Sequence, residues 1–474
     1  MNRAFEFIEE VFWGEPCDEL ETRLLDFRNG ETLTLKDAFE SVLFIGSPGS
    51  GKTTSARTYY RALLQEQFGG LVLCVKESQV ADFLTLAREC GRAGDVLVFG
   101  PQQKQVFNPL EGVSINEATE LLVEIAEVLS DRVQPGRSEN EAFWRQQTTT
   151  ALRNLLVLCH LVYGRLEIPG VGALFAGRAN TPNQVVDPTW RQNSVLARAL
   201  DLAEKRGDNE SSLAVEYFTR DYPNLERLQS SVAATVSGVV EYLRRQPLAG
   251  LFSGVSTFTM HDLLHAGKIC VVGMPTQGSR ALGISPVEGK IANAILQFCF
   301  CRAATQAQRE SNVFLISDEC QETVTRELMR QLAVLREYRT TTVLLTQNLA
   351  VLDARVGREA REGILGDIKT KVFLQQNHAE TREWAAQQIG KAKFMRKSET
   401  TTWGKGKPQH SETRQLVDDY RAAPAEFAKL KTGGPQNNYV VESIVLKGGA
   451  AWRSRWHQLK PGKNGTVTIA KYQD

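Results

Sequence analysis

"SVLFIGSPGSGKTTSA", Ser41–Ala56, decides the fold of this 474-residue chain. Four apolar residues, Val42 to Ile45, read as a buried strand, and the run from Lys52 to about Gln67 reads as a helix. Between them Gly46 to Thr53 fits the pattern G-x-x-x-x-G-K-[ST]. In a strand–loop–helix context that pattern cradles a polyphosphate. Gly46, Gly49 and Gly51 let the backbone come close and aim N–H groups at phosphate oxygens. Lys52 brings a point charge to the β- and γ-phosphates, and Thr53 offers a hydroxyl to Mg²⁺. The expected nucleotide-binding set is Gly46, Ser47, Pro48, Gly49, Ser50, Gly51, Lys52, Thr53 and Thr54, with ATP and Mg²⁺ as the cofactors.

Outward from the loop, strand and helix alternate. "GGLVLCVK" and "DVLVFG" read as strands on either side of the helix "ADFLTLARECGRAG". Such alternation marks a parallel sheet wrapped in helices. The pattern changes at "FNPLEGV". Ser114 and Glu117 form a capping box ahead of a helix in which Ile115, Ala118, Leu122, Ile125 and Leu129 keep helical spacing. Ser138 and Glu141 repeat the device. Between Val113 and about Ser256 only helices are expected.

Alternation returns with "KICVVGMP", "NVFLISDE", "TTTVLLTQN" and "IKTKVFLQQ" as strands. The expected organisation is an N-terminal segment, 1–32; a RecA-like α/β nucleotide-binding domain in two segments, 33–112 and 257–474; and an inserted all-α domain, 113–256. Phe394 to Glu412 is polar and reads as a mobile loop. "NNYVVESIVLKGG" and "GTVTIAKY" read as closing strands.

A nucleotide loop needs an acid at the end of a neighbouring strand, and "VFLISDE" supplies two. Asp318 is expected in the Mg²⁺ shell, and Glu319 is expected to orient and deprotonate the attacking water. The separation of Lys52 from Asp318, 318 − 52 = 266 residues, leaves room for the helical insertion. Gln347 ends the next strand, where an uncharged amide senses the γ-phosphate or holds the water without adding negative charge. Arg336 and Arg339 close the preceding helix. Either reaches a neighbouring subunit's nucleotide or merely satisfies a helix C-terminus.

The stretch from Lys391 to His410 interleaves Lys391, Lys393, Arg396, Lys397, Lys405 and Lys407 with Phe394 and Trp403. That suits a nucleic-acid-facing loop or an ordinary solvated one. His378 and His410 have no partner at metal-ligand spacing and are read as non-ligands.

Bulk composition sets the limits. With 42% hydrophobic residues, 23% charged residues and a formal charge of +1, the chain is an ordinary soluble protein with no bulk attraction for nucleic acid. A DNA surface must then be a local patch or a channel built from several subunits. The cysteines, among them Cys17, Cys74, Cys270, Cys299 and Cys301, lie mostly in apolar runs and read as core thiols in a reducing cytoplasm. No apolar run approaches a membrane span, so contact with a membrane is expected only through a partner.

Several stretches together carry a resemblance. They are "LFIGSPGSGKTT", "VFNPLEGV", "FWRQQTTTALRNLLVL", "LISDE", "REYRTTTVLLTQNLAVLDARVG", "HAETREWAAQQIG" and "PAEFAKLKTGG". In this order the chain resembles the type IV coupling proteins of the TraG/TraD kind, in the wider HerA/FtsK superfamily of hexameric DNA motors. The resemblance spans roughly Leu33 to Gly449. It implies a hexameric ring, ATP-driven handling of double- or single-stranded DNA, and Arg336 as the arginine acting in trans. It also implies a relaxase, secretion channel or nuclease as protein partner. Three readings follow: a DNA-moving ring ATPase, a nucleotide-gated receptor for a protein cargo, and a switch that closes around DNA or a nuclease.

Overall fold

A computed structural model describes residues 19–27, 30–130, 139–306, 310–404 and 407–458. Its strands are β1 (Arg23–Asp26), β2 (Thr32–Thr34), β3 (Val42–Ile45), β4 (Gly69–Leu73), β5 (Val96–Phe99), β6 (Ile269–Val272), β7 (Val313–Ser317), β8 (Thr340–Thr346), β9 (Thr370–Phe373), β10 (Lys391–Gly404), β11 (Lys407–Tyr420), β12 (Val440–Lys447) and β13 (Ala450–His457). Nine of them form one sheet in the order β13-β12-β9-β3-β8-β7-β4-β6-β5. The β3–β9, β4–β6, β4–β7 and β5–β6 pairs run parallel, while β12 runs antiparallel to β9 and to β13. Strands β3, β4, β6, β7, β8 and β9 are buried at every position. Strands covered on both faces tend to read as apolar runs, as β3 (VLFI) and β6 (ICVV) do, whereas β8 also buries four threonines and β9 buries Thr370 and Lys371.

The chain divides into two compact units. The first comprises Met1–Ala62, Leu344–Leu352 and Ile368–Asp474. Phe373 of β9 packs edge-on against Trp384 and Phe427, and Phe44 of β3 meets Tyr59 and Trp456. On β13 the buried Trp452 and Trp456 alternate with the exposed Arg453 and Arg455.

Residues 391–420 correct the expectation of a mobile loop. β10 and β11 pair residue for residue from Lys391↔Tyr420 to Gly404↔Lys407, an antiparallel ribbon with fourteen residues per strand. The segment is polar because both faces of the ribbon meet solvent, so it lacks the apolar alternation of a half-buried strand. Phe394, Met395 and Leu416 are exposed on it at 45%, 61% and 56%. Lys405 lies outside the described residues, as do Cys17, the Ser138 cap and the "GTVTIAKY" strand.

The second unit comprises Leu63–Val343 and Asp353–Asp367. Between Val113 and Ser256 its described residues form helices and no strand. The expected capping box is present: the Ser114 hydroxyl accepts the Glu117 N–H, and Glu117 accepts the Ser114 N–H at 3.0 Å. The two ends of this helical stretch are bonded side by side. Thr257 N–H donates to the Val106 carbonyl, Phe107 N–H to the Leu251 carbonyl, and the Asn108 amide to the Gly254 carbonyl. Phe107 also stacks on Phe258 at 5.4 Å.

The helix Ile115–Leu129 is buried well beyond one stripe, and Glu124 and Glu127 lie inside with its apolar residues. Arginines answer them. Glu127 accepts from Arg145 at 2.6 Å and forms an ion pair with Arg326 at 2.9 Å, while the buried Glu327 pairs with Arg302 at 2.7 Å. Among the described residues no single helix is long and apolar enough to cross a membrane.

Candidate nucleotide site

The glycine loop follows β3 and ends in the helix Lys52–Gln65. Gly49 and Gly51 adopt φ of +76° and +90°, which a side chain disfavours. A Cβ on Gly51 would also lie 2.5 Å from Val441. Lys52 is only 8% exposed, and its ammonium donates to the Gly46 carbonyl at 2.7 Å and to the Ser47 carbonyl at 3.2 Å. Its stem is thus folded over the loop it serves. Ser47 and Ser50 are buried, Thr54 is half-buried, and Thr53, Pro48 and Gly49 are exposed.

Two observations test whether a polyphosphate fits this loop. Neither the Gly49 nor the Gly51 N–H has an acceptor among the described residues. The Ser50 hydroxyl is buried and has no partner there either. These are unanswered donors around an ammonium group and at a helix N-terminus, and they suit an anion with several oxygens. Thr53, at the second helical position, is the residue that would bring its hydroxyl to a metal on that anion.

Gln347, at the end of β8, is half-buried. Its carbonyl accepts from the Gln376 side chain at 2.9 Å, and Gln376 in turn accepts from the Ser47 hydroxyl at 3.0 Å. The sequence reading missed Gln376. Its signal was a polar run, "QQNH", directly after the buried β9.

The acidic pair sits on a tight turn after β7. Asp318 and Glu319 are both half-buried. Glu319 is in the left-handed region, φ 62° and ψ 56°, a conformation that costs a non-glycine residue about 1–3 kcal/mol. Glu319 accepts from Gln321 at 2.7 Å and lies 3.8 Å from the ammonium of Lys76, which follows β4. Lys76 and Gln321 were not singled out in the sequence, because neither belongs to a motif. Burial raises the neighbouring Cys74 thiol first, and the Asp318 carboxylate adds to the shift. Below the turn the Ser317 and Thr323 hydroxyls bond to each other.

Arg336 and Arg339 occupy different settings. Arg339 takes φ of +49° and donates to the Glu310 carbonyl at 2.5 Å. Arg336 caps the helix Arg326–Leu335 and is exposed, and its side chain has no partner among the described residues. His378 accepts the Thr381 N–H at 3.3 Å, so its ring caps the helix Ala379–Ile389.

Residues 312–430 match a family model described as the TraM recognition site of TraD and TraG. No curated protein sequence matches the chain. Among solved structures, the bacterial conjugative coupling protein TrwB, unbound, aligns with a TM-score of 0.62 at 12% identity, covering 95% of this chain and 90% of its own. Plasmid coupling protein TrwB in complex with ADP and Mg²⁺ aligns at 0.60 and 13% identity, covering 95% and 91%. VirB4 of Thermoanaerobacter pseudethanolicus aligns at 0.53 and 12%, covering 96% and 100%. At such identities the likeness is one of fold. The fold is α/β, a RecA-like P-loop core with a mostly parallel sheet and an all-α stretch. The resemblance to type IV coupling proteins read from the motifs is borne out.

Proposed function

We propose that the chain is a ring-forming P-loop ATPase that couples ATP hydrolysis to the movement or delivery of DNA, as a relative of the conjugative coupling proteins. The observation that carries this reading is the glycine loop, with its two unanswered amides, its orphaned Ser50 hydroxyl and its buried Lys52. Lys52 binds the β- and γ-phosphates, and Thr53 and Asp318 hold Mg²⁺. Glu319 activates the water, Gln347 senses the γ-phosphate, and Arg336 serves the nucleotide of a neighbouring subunit. The exposure of Arg336 supports its role in trans. The TrwB structure that holds ADP and Mg²⁺ supports the choice of cofactors.

In this reading residues 113–256 are a domain inserted into the nucleotide-binding domain formed by 33–112 and 257–474. The hydrogen-bonded stem at Val106–Asn108 and Leu251–Thr257 supports that division. The ring is hexameric, works in the cytoplasm, and reaches a membrane through a partner.

A second reading, a nucleotide-gated receptor for a relaxase or other protein cargo, is favoured by the partner-recognition description of the family matched at residues 312–430. One experiment separates the two: steady-state ATP hydrolysis against protein concentration, without DNA, with single strands and with duplex, and with Glu319→Gln as the blank. Activity that climbs with concentration and again with DNA supports the motor. Activity indifferent to DNA but raised by a protein partner supports the receptor.

A further inference from the structure

We infer that Gln376 is a positioning residue that locks the Gln347 strand end to the glycine loop and passes nucleotide occupancy to the helix Ala379–Ile389. The inference rests on the nucleotide reading above, because it assumes that the loop holds a phosphate.

Gln376 is 3% exposed, and its amide is used at both ends. Its Oε1 accepts from the Ser47 hydroxyl at 3.0 Å and from the His378 N–H at 2.9 Å. Its Nε2 donates to the Gln347 carbonyl at 2.9 Å. The orientation is fixed by its surroundings. A flipped amide would set NH₂ against a backbone N–H, and a carbonyl oxygen against a carbonyl oxygen. The Ser47 hydroxyl, having given its proton to Gln376, accepts the Asn377 N–H at 2.8 Å.

The loop is joined to this segment through its backbone as well. Ser47 N–H donates to the Gln375 carbonyl at 2.8 Å, one step beyond the β3–β9 ladder. A further bond reinforces the link between the two strand ends. Thr381, buried in the first turn of the Ala379–Ile389 helix, accepts the Leu349 N–H at 3.1 Å. Ser47, Gln347 and the start of that helix therefore share one amide. A shift of the loop around a phosphate reaches the other two through bonds that a buried side chain cannot readily trade for water.

Only an amide meets these demands. Glutamate of the same shape keeps both acceptor bonds and loses the donor to Gln347, placing a carboxylate oxygen against its carbonyl. The test compares wild type, Gln376→Glu and Ser47→Ala. It measures turnover, affinity for a non-hydrolysable ATP analogue with Mg²⁺, and amide exchange with and without that analogue.

In Gln376→Glu the expected kcat falls by about 10- to 100-fold, the range of a reacting group misplaced by about 1 Å. Affinity for the analogue stays within about 3-fold of wild type, because the loop's own contacts remain. Analogue-induced protection persists at Gly46–Thr53 and disappears at Asn377–Ile389. The double variant with Ser47→Ala is expected to be less than additive.

Wild-type kcat and wild-type protection at Asn377–Ile389 in Gln376→Glu overturn the inference. Should that variant lose analogue binding, Ser47→Ala decides. A reduced kcat with binding retained supports the inference, and an unchanged kcat overturns it. Absence of protection at Gly46–Thr53 in the wild-type chain overturns the nucleotide reading itself, a result distinct from the other two.

Discussion

Glu124 accepts the backbone N–H of Arg326 at 3.0 Å, so a buried carboxyl from the all-α stretch caps the helix that ends at Arg336. Burial first, and Glu127 second, push the Glu124 carboxyl up to about 7. Glu327 adds to the rise, while the Arg326 N–H and Arg330 oppose it.

This cap predicts a pH dependence of stability. The ordinary value is 4.5 and the folded value about 7, so folding favours the protonated form. Stability is greatest at and below the unfolded value, falls as pH rises from 4.5 to 7, and stays lower above. The loss is on the order of 3 kcal/mol for such a shift. Glu124→Gln keeps an acceptor for Arg326 and removes the titration. It is expected to flatten urea-unfolding stability between pH 5 and 8 and to exceed wild type at pH 8. Parallel curves for the two proteins would sink the assignment.

Glu319→Gln is expected to lower ATP turnover by about 10²–10⁴-fold, the usual contribution of a positioned base, with nucleotide affinity retained. Lys52→Ala should instead lose affinity as well. Turnover paired with equilibrium binding separates the two, and equal losses of affinity would refute the division of roles.

Arg336→Ala is expected to lose about 10³–10⁵ in turnover if it serves a neighbour's nucleotide. Mixing it with Lys52→Ala subunits should then restore part of the activity, since each variant supplies what the other lacks. Arg339→Ala loses its tie to the Glu310 carbonyl and should instead lower the melting temperature. No recovery on mixing would place Arg336 outside the shared site.

The ribbon carries Lys393, Arg396 and Lys397 among exposed residues. If these meet DNA, replacing all three with Gln should weaken binding to any sequence. It should also reduce the salt slope by roughly 0.9 for each duplex phosphate that is no longer neutralised. An unchanged slope in a salt titration assigns the ribbon to solvent or to a protein partner.

Much of the fold was legible because buried parallel strands tend to write themselves as apolar or β-branched runs: "VLFI", "VFLIS" and the threonine-rich "TTTVLLT" all lie in the sheet. The glycine loop and the capping box at Ser114 were legible because local geometry there demands particular residues. β13 was missed although Trp452, Ser454 and Trp456 alternate with Arg453 and Arg455, since two arginines and a serine among so few apolar residues masked the period. The ribbon was missed because exposure on both faces removes the pattern that betrays a strand. Gln376, Lys76 and Gln321 were beyond sequence reasoning for a different cause. Their partners are chosen by the fold, and Gln376 lies 329 residues from Ser47.

The β10–β11 ribbon begins one residue after the Ala379–Ile389 helix and is fastened at its root, where Arg421 N–H donates to the Gly390 carbonyl at 3.0 Å. Fourteen residues per strand give it a length of roughly 45 Å at the usual rise of a strand. It therefore acts as a long arm on a short hub. A tilt of about 5° at the root sweeps the far end through roughly 4 Å, at that same strand rise. Any such tilt at the root would be magnified, at the other end of the arm, to a step longer than the rise of a DNA base pair.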